Sequence, residues 1–268
     1  MNVRQTIVSL IEPLPTPLPI ATSGGIDSSA LTLAARDAGK EPIIVSFTLA
    51  DRESSDFVAA RTLASHFGFE FRPVILPVDT DVICGDVIRL IRRYGARRKT
   101  AIECLWPYLH VLETLKSLNY SSLLTGNAAD GHFALSRKAI LRYGVRASKE
   151  QFQLFRQHFF GNPESAQIGF LHRIYGSEGL QIHTPWFNPS VFPLFEDCTW
   201  DEVNKPRQKE AVRVEFPELD VLHIAGHTSL QLGDSGIAST VGDAVRRRYA
   251  PEAKSPIRAY NLIAQASS

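Results

Sequence analysis

The apolar positions in the first half of the chain follow two alternating patterns. Short runs of apolar and β-branched residues, typical of buried parallel strands, occupy residues 19–22, 42–49, 71–78 and 122–125. Helical segments, most with apolar residues at helical spacing, occupy residues 27–38, 54–66, 81–93 and 100–118. Strands that alternate with helices predict an α/β fold, with a parallel sheet and helices on both faces.

The third apolar run contains Pro73 and Pro77. Because proline cannot donate a ladder hydrogen bond, we expect either this strand near an edge of the sheet or the prolines at the ends of the strand. After about residue 135 the pattern becomes mainly helical. We therefore predict an α/β core over residues 1–135, followed by a mainly helical part over residues 136–268 that completes the site. In such sheets a ligand lies beyond the carboxyl ends of the strands.

The charges of the chain nearly balance, with 29 Lys+Arg against 28 Asp+Glu in 268 residues. With 44% hydrophobic and 21% charged residues, the composition is typical of a globular protein. Nucleic-acid-binding proteins usually show a basic excess, so a nucleic-acid partner is not favoured. Basic segments at residues 92–99, 137–146 and 246–248 leave that alternative open.

Features of membrane and secreted proteins are missing from the sequence. No run approaches the roughly 20 apolar residues that cross a bilayer, and residues 1–5 lack the layout of a signal peptide. Cys84, Cys104 and Cys198 are far apart, which disfavours a disulfide framework and a zinc site. We therefore expect a cytoplasmic protein without a membrane partner.

One glycine-containing loop follows the first strand and opens the first helix. Its residues are Ser23, Gly24, Gly25, Ile26, Asp27, Ser28 and Ser29. The glycines allow close approach of the backbone, and the N–H groups at the helix start form an anion site to which the serine hydroxyls add donors. A carboxylate such as Asp27 fits beside phosphate when Mg²⁺ lies between them. The loop therefore predicts a phosphate site with its own metal ligand.

This loop resembles the signature of the ATP pyrophosphatases (PP-loop enzymes), which cleave ATP between the α- and β-phosphates. A second loop, Thr125-Gly126-Asn127-Ala128-Ala129-Asp130-Gly131, is similar to the Thr-Gly-Glu-Gly-Ala-Asp-Glu loop of asparagine synthetases and β-lactam synthetases. The resemblance implies the Rossmann-like fold of the adenine nucleotide α-hydrolases. It also implies that Gly126 contributes to the nucleotide site and that Asp27 and Asp130 share magnesium. The adenine of ATP would lie near Ser46 and Phe47.

Two later segments extend the resemblance. Residues 204–213 are similar to the family's Lys-x-x-Leu-Arg helix, whose lysine meets pyrophosphate. This points to Lys209, or to Lys205 one helical turn earlier on the same face. Residues 229–237 are similar to a glycine-rich loop near the C-terminus of that family. The resemblance covers about residues 16–248 and suggests a stand-alone synthetase domain without the glutaminase domain.

Several positions depart from the family pattern on the side of the acceptor substrate. Asn127 and Gly131 stand where the family carries glutamates, and the segment with His183 and Asn188 lacks the usual arginine and aspartate. His227, or the threonine after it, replaces a lysine. The nucleotide side is kept and the acceptor side is altered, so aspartate is doubtful as substrate.

These observations predict an ATP-dependent, AMP-forming ligase. It would adenylate a small carboxylate with release of pyrophosphate and then join ammonia or another amine, with ATP and Mg²⁺ as cofactors. A separate partner could deliver the nitrogen. Two alternatives remain: a PP-loop enzyme that adenylates a nucleobase in tRNA or DNA, and a non-catalytic ATP-binding regulator. Glu178 could orient the amine, unless it is a solvated surface carboxylate, and Trp186 could line the acceptor pocket, unless it is a packing residue.

Overall fold

The chain folds around a five-stranded sheet in which every strand pair is parallel. This computed structural model describes residues 2–143, 148–162, 164–222 and 233–266. The strands are β1 (Leu18–Ala21), β2 (Pro42–Leu49), β3 (Glu70–Leu76), β4 (Ser122–Thr125) and β5 (Gln181–His183), in the order β3-β2-β1-β4-β5. The predicted α/β fold is confirmed. As expected, β3, which contains Pro73, lies at an edge of the sheet, and Pro77 follows its last residue.

Helices pack on both faces of this sheet. Their bounds are α1 (Val3–Ile11), α2 (Ile26–Asp37), α3 (Ser55–Phe67), α4 (Thr80–Arg92), α5 (Lys99–Ser117), α6 (Asp130–Phe133), α7 (Arg137–Tyr143), α8 (Lys149–Phe160), α9 (Ile168–Gly176), α10 (Pro193–Glu196), α11 (Trp200–Asn204), α12 (Glu210–Arg213), α13 (Ile237–Tyr249) and α14 (Ile257–Gln265). Short 3₁₀ turns are formed by Ser165–Gln167, Pro185–Phe187 and Pro217–Leu222.

Alternate residues of the central strands enter two different cores. Ile43 and Val45 pack with residues of α4, α5, α9, α13 and α14, whereas Ile44 packs with residues of α1, α2 and α3. This follows from the two-residue period of a strand. Because both faces are covered, β2 is a continuous apolar run instead of an alternating one.

The fifth strand was not predicted from the sequence. β5 has three residues, of which Ile182 alone is buried, so its pattern is too short to identify. It pairs with β4 through Leu123 and Ile182 and brings a segment beyond residue 135 into the sheet. Both cores also contain residues from each side of that position. The boundary predicted near residue 135 therefore does not separate two hydrophobic cores.

The strand order creates a crevice beside β1. From β1 the chain proceeds to β2 and β3 on one side, whereas β4 and β5 lie on the other. Ligands of open α/β sheets bind where the order reverses in this way. The loop after β1 and the loop after β4 both open at this crevice.

Among the described residues, no helix has the length and apolar character required to span a membrane.

Candidate active site

The loop between β1 and α2 has a backbone that only glycine allows. Gly24 has φ +73°, and a Cβ there would lie 2.5 Å from Cβ of Ala59 and 2.7 Å from the backbone nitrogen of Ala60. The loop is thus pressed against α3. Gly25 is the N-cap of α2 and has no side chain to cover the first N–H groups of the helix. These groups and the helix dipole favour an anion at this end.

Two of the three serines of this loop line a cavity, and the third does not. Ser23 and Ser28 line the cavity described below. The Ser28 hydroxyl donates to the carbonyl of Gly25 (3.2 Å) and accepts from the backbone N–H of Ser23 (3.3 Å), which holds the loop. Ser29 is completely buried and is not among the cavity residues, and its Oγ has no hydrogen-bond partner among the described residues. The structure therefore does not bring Ser29 to the phosphate site.

The loop after β4 touches the loop after β1. A Cβ at Gly126 would lie 3.2 Å from the backbone nitrogen of Ser28, so the two loops meet at a position without a side chain. Asp130 begins α6, and its carboxylate projects into the same cavity as Asp27. The two predicted metal ligands are brought together although they are far apart in sequence.

Lys209 joins the two loops. Its side chain is 5% exposed, and its ammonium group contacts a carboxylate oxygen of Asp27 and lies 2.9 Å from Oδ1 of Asp130. Burial lowers the pKa of Lys209, but the charges and hydrogen bonds of Asp27 and Asp130 outweigh burial, so the net direction is upward. The ammonium also lies 5.6 Å from the centre of the Phe133 ring. A charged lysine therefore sits at the phosphate loop.

Lys205 is placed differently. It is 57% exposed, forms an ion pair with Asp201 at 2.7 Å and is not among the cavity residues. The prediction that Lys205 and Lys209 share a helical face was wrong, because α11 ends at Asn204 and α12 begins after Lys209. Lys209 itself has φ +59°, and its backbone N–H donates to Oδ1 of Asn204.

Residues 23–28 of the loop after β1, together with Gly126, Asp130 and Lys209, line one cavity of about 480 Å³, a size that suits a small-molecule ligand. Ser46 and Phe47 line it from β2, and their contact with adenine stays a prediction. Sequence reasoning missed two residues of α5, Cys104 and Tyr108, which line the same cavity. The ring of Tyr108 packs edge-on against Phe47 at 6.3 Å. Nothing in the helical pattern of α5 distinguishes the residues that face the crevice from ordinary core residues.

The start of α3 forms another wall that was not predicted. Ser54, Ser55 and Asp56 line the cavity. Burial, with a contribution from Asp234, raises the pKa of Asp56 to about 6. Asp234 accepts hydrogen bonds from the backbone N–H and hydroxyl of Ser55 at 2.9 and 3.0 Å. The segment after residue 232 is thereby attached to the site.

Arg213 is a further cation in the cavity that was quoted in the sequence motif but not assigned a role. It is almost completely buried, and burial lowers the pKa of its guanidinium. Its Nε donates to the carbonyl of Gln208 (3.2 Å), which also lines the cavity. The sequence signal that could have identified Arg213 is its position four residues after Lys209. This spacing places the two cations at opposite ends of the short helix α12.

The altered acceptor-side positions divide into two groups. Asn127 lies in the cavity wall, and Gly131 lies against Phe159, which lines that wall. His183 and Asn188 are not cavity residues. Burial, with a contribution from His172, lowers the pKa of His183. His227 and the first part of the predicted glycine-rich loop, residues 229–232, lie outside the described residues.

Two other candidates, Glu178 and Trp186, make structural contacts and do not line the cavity. Glu178 accepts hydrogen bonds from Lys116 (2.8 Å) and Arg89 (3.3 Å) and forms an ion pair with Arg93 (3.1 Å). These contacts lie outside the cavity. Trp186 is completely buried, and its indole Nε1 donates to the backbone carbonyl of Asp27 at 3.4 Å. Trp186 therefore braces the start of α2 and does not line the cavity.

The donor set fits Mg²⁺ in one particular way. Asp27 and Asp130 both contact the Lys209 ammonium, so their carboxylates are close enough to share a cation. Among the described residues, no group of three or more His, Cys, Asp and Glu side chains is arranged to hold a metal. Mg²⁺ is commonly bound by one or two carboxylates together with substrate phosphates. These two carboxylates suit an ion that arrives with ATP.

Comparison with known proteins identifies the family. The model of the asparagine synthase family matches residues 16–172, which is more than half of the chain. No curated protein matches the sequence. Similar solved structures include a predicted subunit of tRNA methyltransferase from Methanocaldococcus jannaschii (17% identity, 76% of this chain and 89% of that chain, TM-score 0.36). Another is NMN synthetase from Francisella tularensis (12% identity, 85% and 97%, TM-score 0.37).

Residues 16–172 include both loops of the crevice, with Asp27 and Asp130. The chain therefore belongs to the asparagine synthase family, a family of ATP-using PP-loop enzymes.

Proposed function

We propose that the protein is an AMP-forming amide ligase that activates a carboxylic acid with ATP. The observation that carries the proposal is the contact of one buried lysine, Lys209, with Asp27 and Asp130 beside a phosphate-binding loop. This cluster combines a cation for pyrophosphate with carboxylates for a metal ion.

The proposed reaction has two steps. In the first, a carboxylate oxygen of the acid attacks the α-phosphorus of ATP, and the bond to the β-phosphate breaks, which releases pyrophosphate. In the second, the nitrogen of ammonia or an amine attacks the acyl carbon. The bond from that carbon to AMP breaks, AMP leaves, and the nitrogen loses a proton. The products are an amide, AMP and pyrophosphate.

The residues act mainly by stabilising charge. The N–H groups at the start of α2, with Ser23 and Ser28, hold phosphate oxygens. Lys209 and Arg213 then compensate the charge that grows on the departing pyrophosphate. A bound Mg²⁺, held by Asp27 and Asp130, supplies further stabilisation of negative charge on the phosphates. Ser46, Phe47 and Tyr108 accept the adenine.

A small-molecule acceptor suits the charges around the site better than a nucleic acid. Several arginines of the basic segments are paired with carboxylates: Arg93 with Glu178, Arg246 with Asp243 and Arg248 with Asp81. Cys104 lines the cavity, but burial raises the pKa of its thiol to about 11, which leaves little thiolate for sulfur transfer. The amine would come from free ammonia or from a separate nitrogen-donating partner.

Pyrophosphate release tests this function. The enzyme is incubated with ATP, Mg²⁺ and ammonium, and carboxylic acids are compared with tRNA and single-stranded DNA as stimulants. Release stimulated by an acid, with equimolar AMP and amide, supports the ligase. Release that requires nucleic acid would support nucleobase adenylation. ATP binding without turnover under all conditions would support the regulator.

A further inference from the structure

The part of the cavity next to the β4 loop differs chemically from the phosphate side. Besides Asp130, which contacts Lys209, this part is lined by Asn127, Ala128, Phe159, Ala166 and Gln167, and we call these five residues the acceptor wall. None of these five residues carries a charge at neutral pH. Three carboxylates line the cavity outside these five residues: Asp27 and Asp130 are both paired with Lys209, and Asp56 lies in the first turn of α3.

The aromatic member of the acceptor wall depends on Gly131. A Cβ at residue 131 would lie 2.5 Å from Cε1 of Phe159 and 2.7 Å from Cζ of Phe160. A larger side chain at residue 131 therefore cannot coexist with these rings in their present positions. The absence of a side chain at Gly131 brings an aromatic ring to the cavity. Phe155 and Phe160 support the Phe159 ring, with centroids 6.0 and 5.2 Å away.

Asn127 contributes an uncharged side chain to the acceptor wall, and hydrogen bonds hold this side chain in place. Its Oδ1 accepts from the hydroxyl groups of Tyr108 (2.8 Å) and Thr125 (2.6 Å), and its Nδ2 donates to the carbonyl of Ala166 (3.2 Å). A carboxylate in place of Asn127 would lose the donor to Ala166. The hydrogen bonds thus favour an amide at this position and connect the β4 loop to the segment with Gln167.

We propose that the acceptor is an aromatic or otherwise flat, apolar carboxylic acid without an ammonium group. This inference rests on the proposed ligase function. The carboxylate of the acid would point towards the α-phosphate, and the ring would pack on Phe159. An α-amino acid would place its ammonium group against a wall that has no carboxylate among its described residues, and an unpaired charge there is strongly disfavoured.

A pair of acids that differ in one ammonium group provides the test. 3-Phenylpropionate and phenylalanine are titrated calorimetrically into the protein saturated with α,β-methylene-ATP and Mg²⁺, with benzoate and aspartate as further probes. We expect 3-phenylpropionate to bind at least tenfold more tightly than phenylalanine, and benzoate more tightly than aspartate. Equal or tighter binding of the amino acids, or no binding of any of the aromatic acids, would overturn the inference.

Two variants connect the preference with the wall. Phe159→Ala should weaken 3-phenylpropionate at least tenfold without changing the affinity for the ATP analogue. Leu154→Ala is the matched control, because this apolar side chain of the same helix is exposed and does not line the cavity, and it should leave the binding of 3-phenylpropionate unchanged. If Phe159→Ala binds 3-phenylpropionate like the wild type, Phe159 is not a specificity residue and the inference fails.

A third variant adds a charge to the acceptor wall. Asn127→Asp should reduce the preference for 3-phenylpropionate over phenylalanine at least tenfold, because it introduces a partner for ammonium. An unchanged preference would count against the inference. Failure of the inference is distinct from failure of the ligase: acid-stimulated pyrophosphate release with aspartate would overturn the acceptor class and leave the ligase function intact.

Discussion

The ammonium group of Lys209 lies 2.9 Å from Oδ1 of Asp130, a residue 79 positions earlier in the chain. The same ammonium contacts Asp27, so a single buried cation joins the two loops of the crevice. If this cation also stabilises departing pyrophosphate, its removal should impair chemistry more than nucleotide binding. Lys209→Ala should reduce pyrophosphate release by about 10²–10³-fold, roughly 3–4 kcal/mol of transition-state stabilisation.

The comparison with Lys205 makes this prediction specific. Lys205→Ala removes an exposed lysine that pairs with Asp201 outside the cavity, and it should change pyrophosphate release less than twofold. Both variants are measured with the same acid, ATP and Mg²⁺. A large loss at Lys205 together with normal activity at Lys209 would reverse the assignment.

Asp27 should be required for turnover and not for folding. Asp27→Asn removes the negative charge proposed for the metal ion and leaves the size of the side chain nearly unchanged. We expect pyrophosphate release to fall at least about 100-fold, with a normal circular dichroism spectrum and a Tm within a few degrees of the wild type. Asp201→Asn, at an exposed aspartate, serves as the control. Normal turnover of Asp27→Asn would exclude the proposed metal role.

Gly24 and Gly39 form a matched pair for testing the phosphate loop. Both have positive φ, +73° and +70°, so alanine costs about 1 kcal/mol of backbone strain at either position. A Cβ at Gly24 also meets Ala59 and Ala60, whereas a Cβ at Gly39 has no neighbour within 4 Å. We expect Gly24→Ala to weaken ATP binding at least tenfold and Gly39→Ala to leave it unchanged, as measured by calorimetry. Equal affinities would show that the close packing on α3 is not needed.

The ion pair between Arg4 and Glu218 should make the free energy of unfolding depend on pH in the acidic range. The side-chain hydrogen bond from Arg4 lowers the pKa of Glu218 from 4.5 to about 2. A lowered pKa contributes stability above the unfolded value, and this contribution is lost as the pH falls from about 4.5 towards about 2. Arg4→Met should therefore lower Tm at pH 7, by roughly 2–4 °C for about 1 kcal/mol, and less at pH 3.

Glu218→Gln provides the check on this pair. This variant removes the titrating group, so its Tm at pH 7 should resemble that of Arg4→Met. Its Tm should also decrease less between pH 7 and pH 3 than the Tm of the wild type. Thermal unfolding followed by circular dichroism measures both variants. A loss of Tm that is the same at pH 7 and pH 3 would contradict the assigned cause.

Much of the fold follows from local patterns. The bounds of β2 and β4 agree with the apolar runs at residues 42–49 and 122–125, because both strands are buried on both faces. The edge position of β3 agrees with Pro73, which cannot donate a ladder hydrogen bond. β5 escaped prediction because three residues with one buried side chain carry too little pattern. Its place in the sheet depends on pairing with β4, which lies far away in the sequence.

By itself, the sequence determined four of the five strands described, the two loops at their carboxyl ends and the residues proposed to bind phosphate and metal. These depend on local spacing, on glycine and on the polarity of neighbouring residues. Tertiary structure decided which residues meet. It buried Ser29, placed Lys209 and not Lys205 between Asp27 and Asp130, and brought Phe159 against Gly131. Such contacts join segments distant in the chain, and the space and charge around a side chain exist only after those segments have packed.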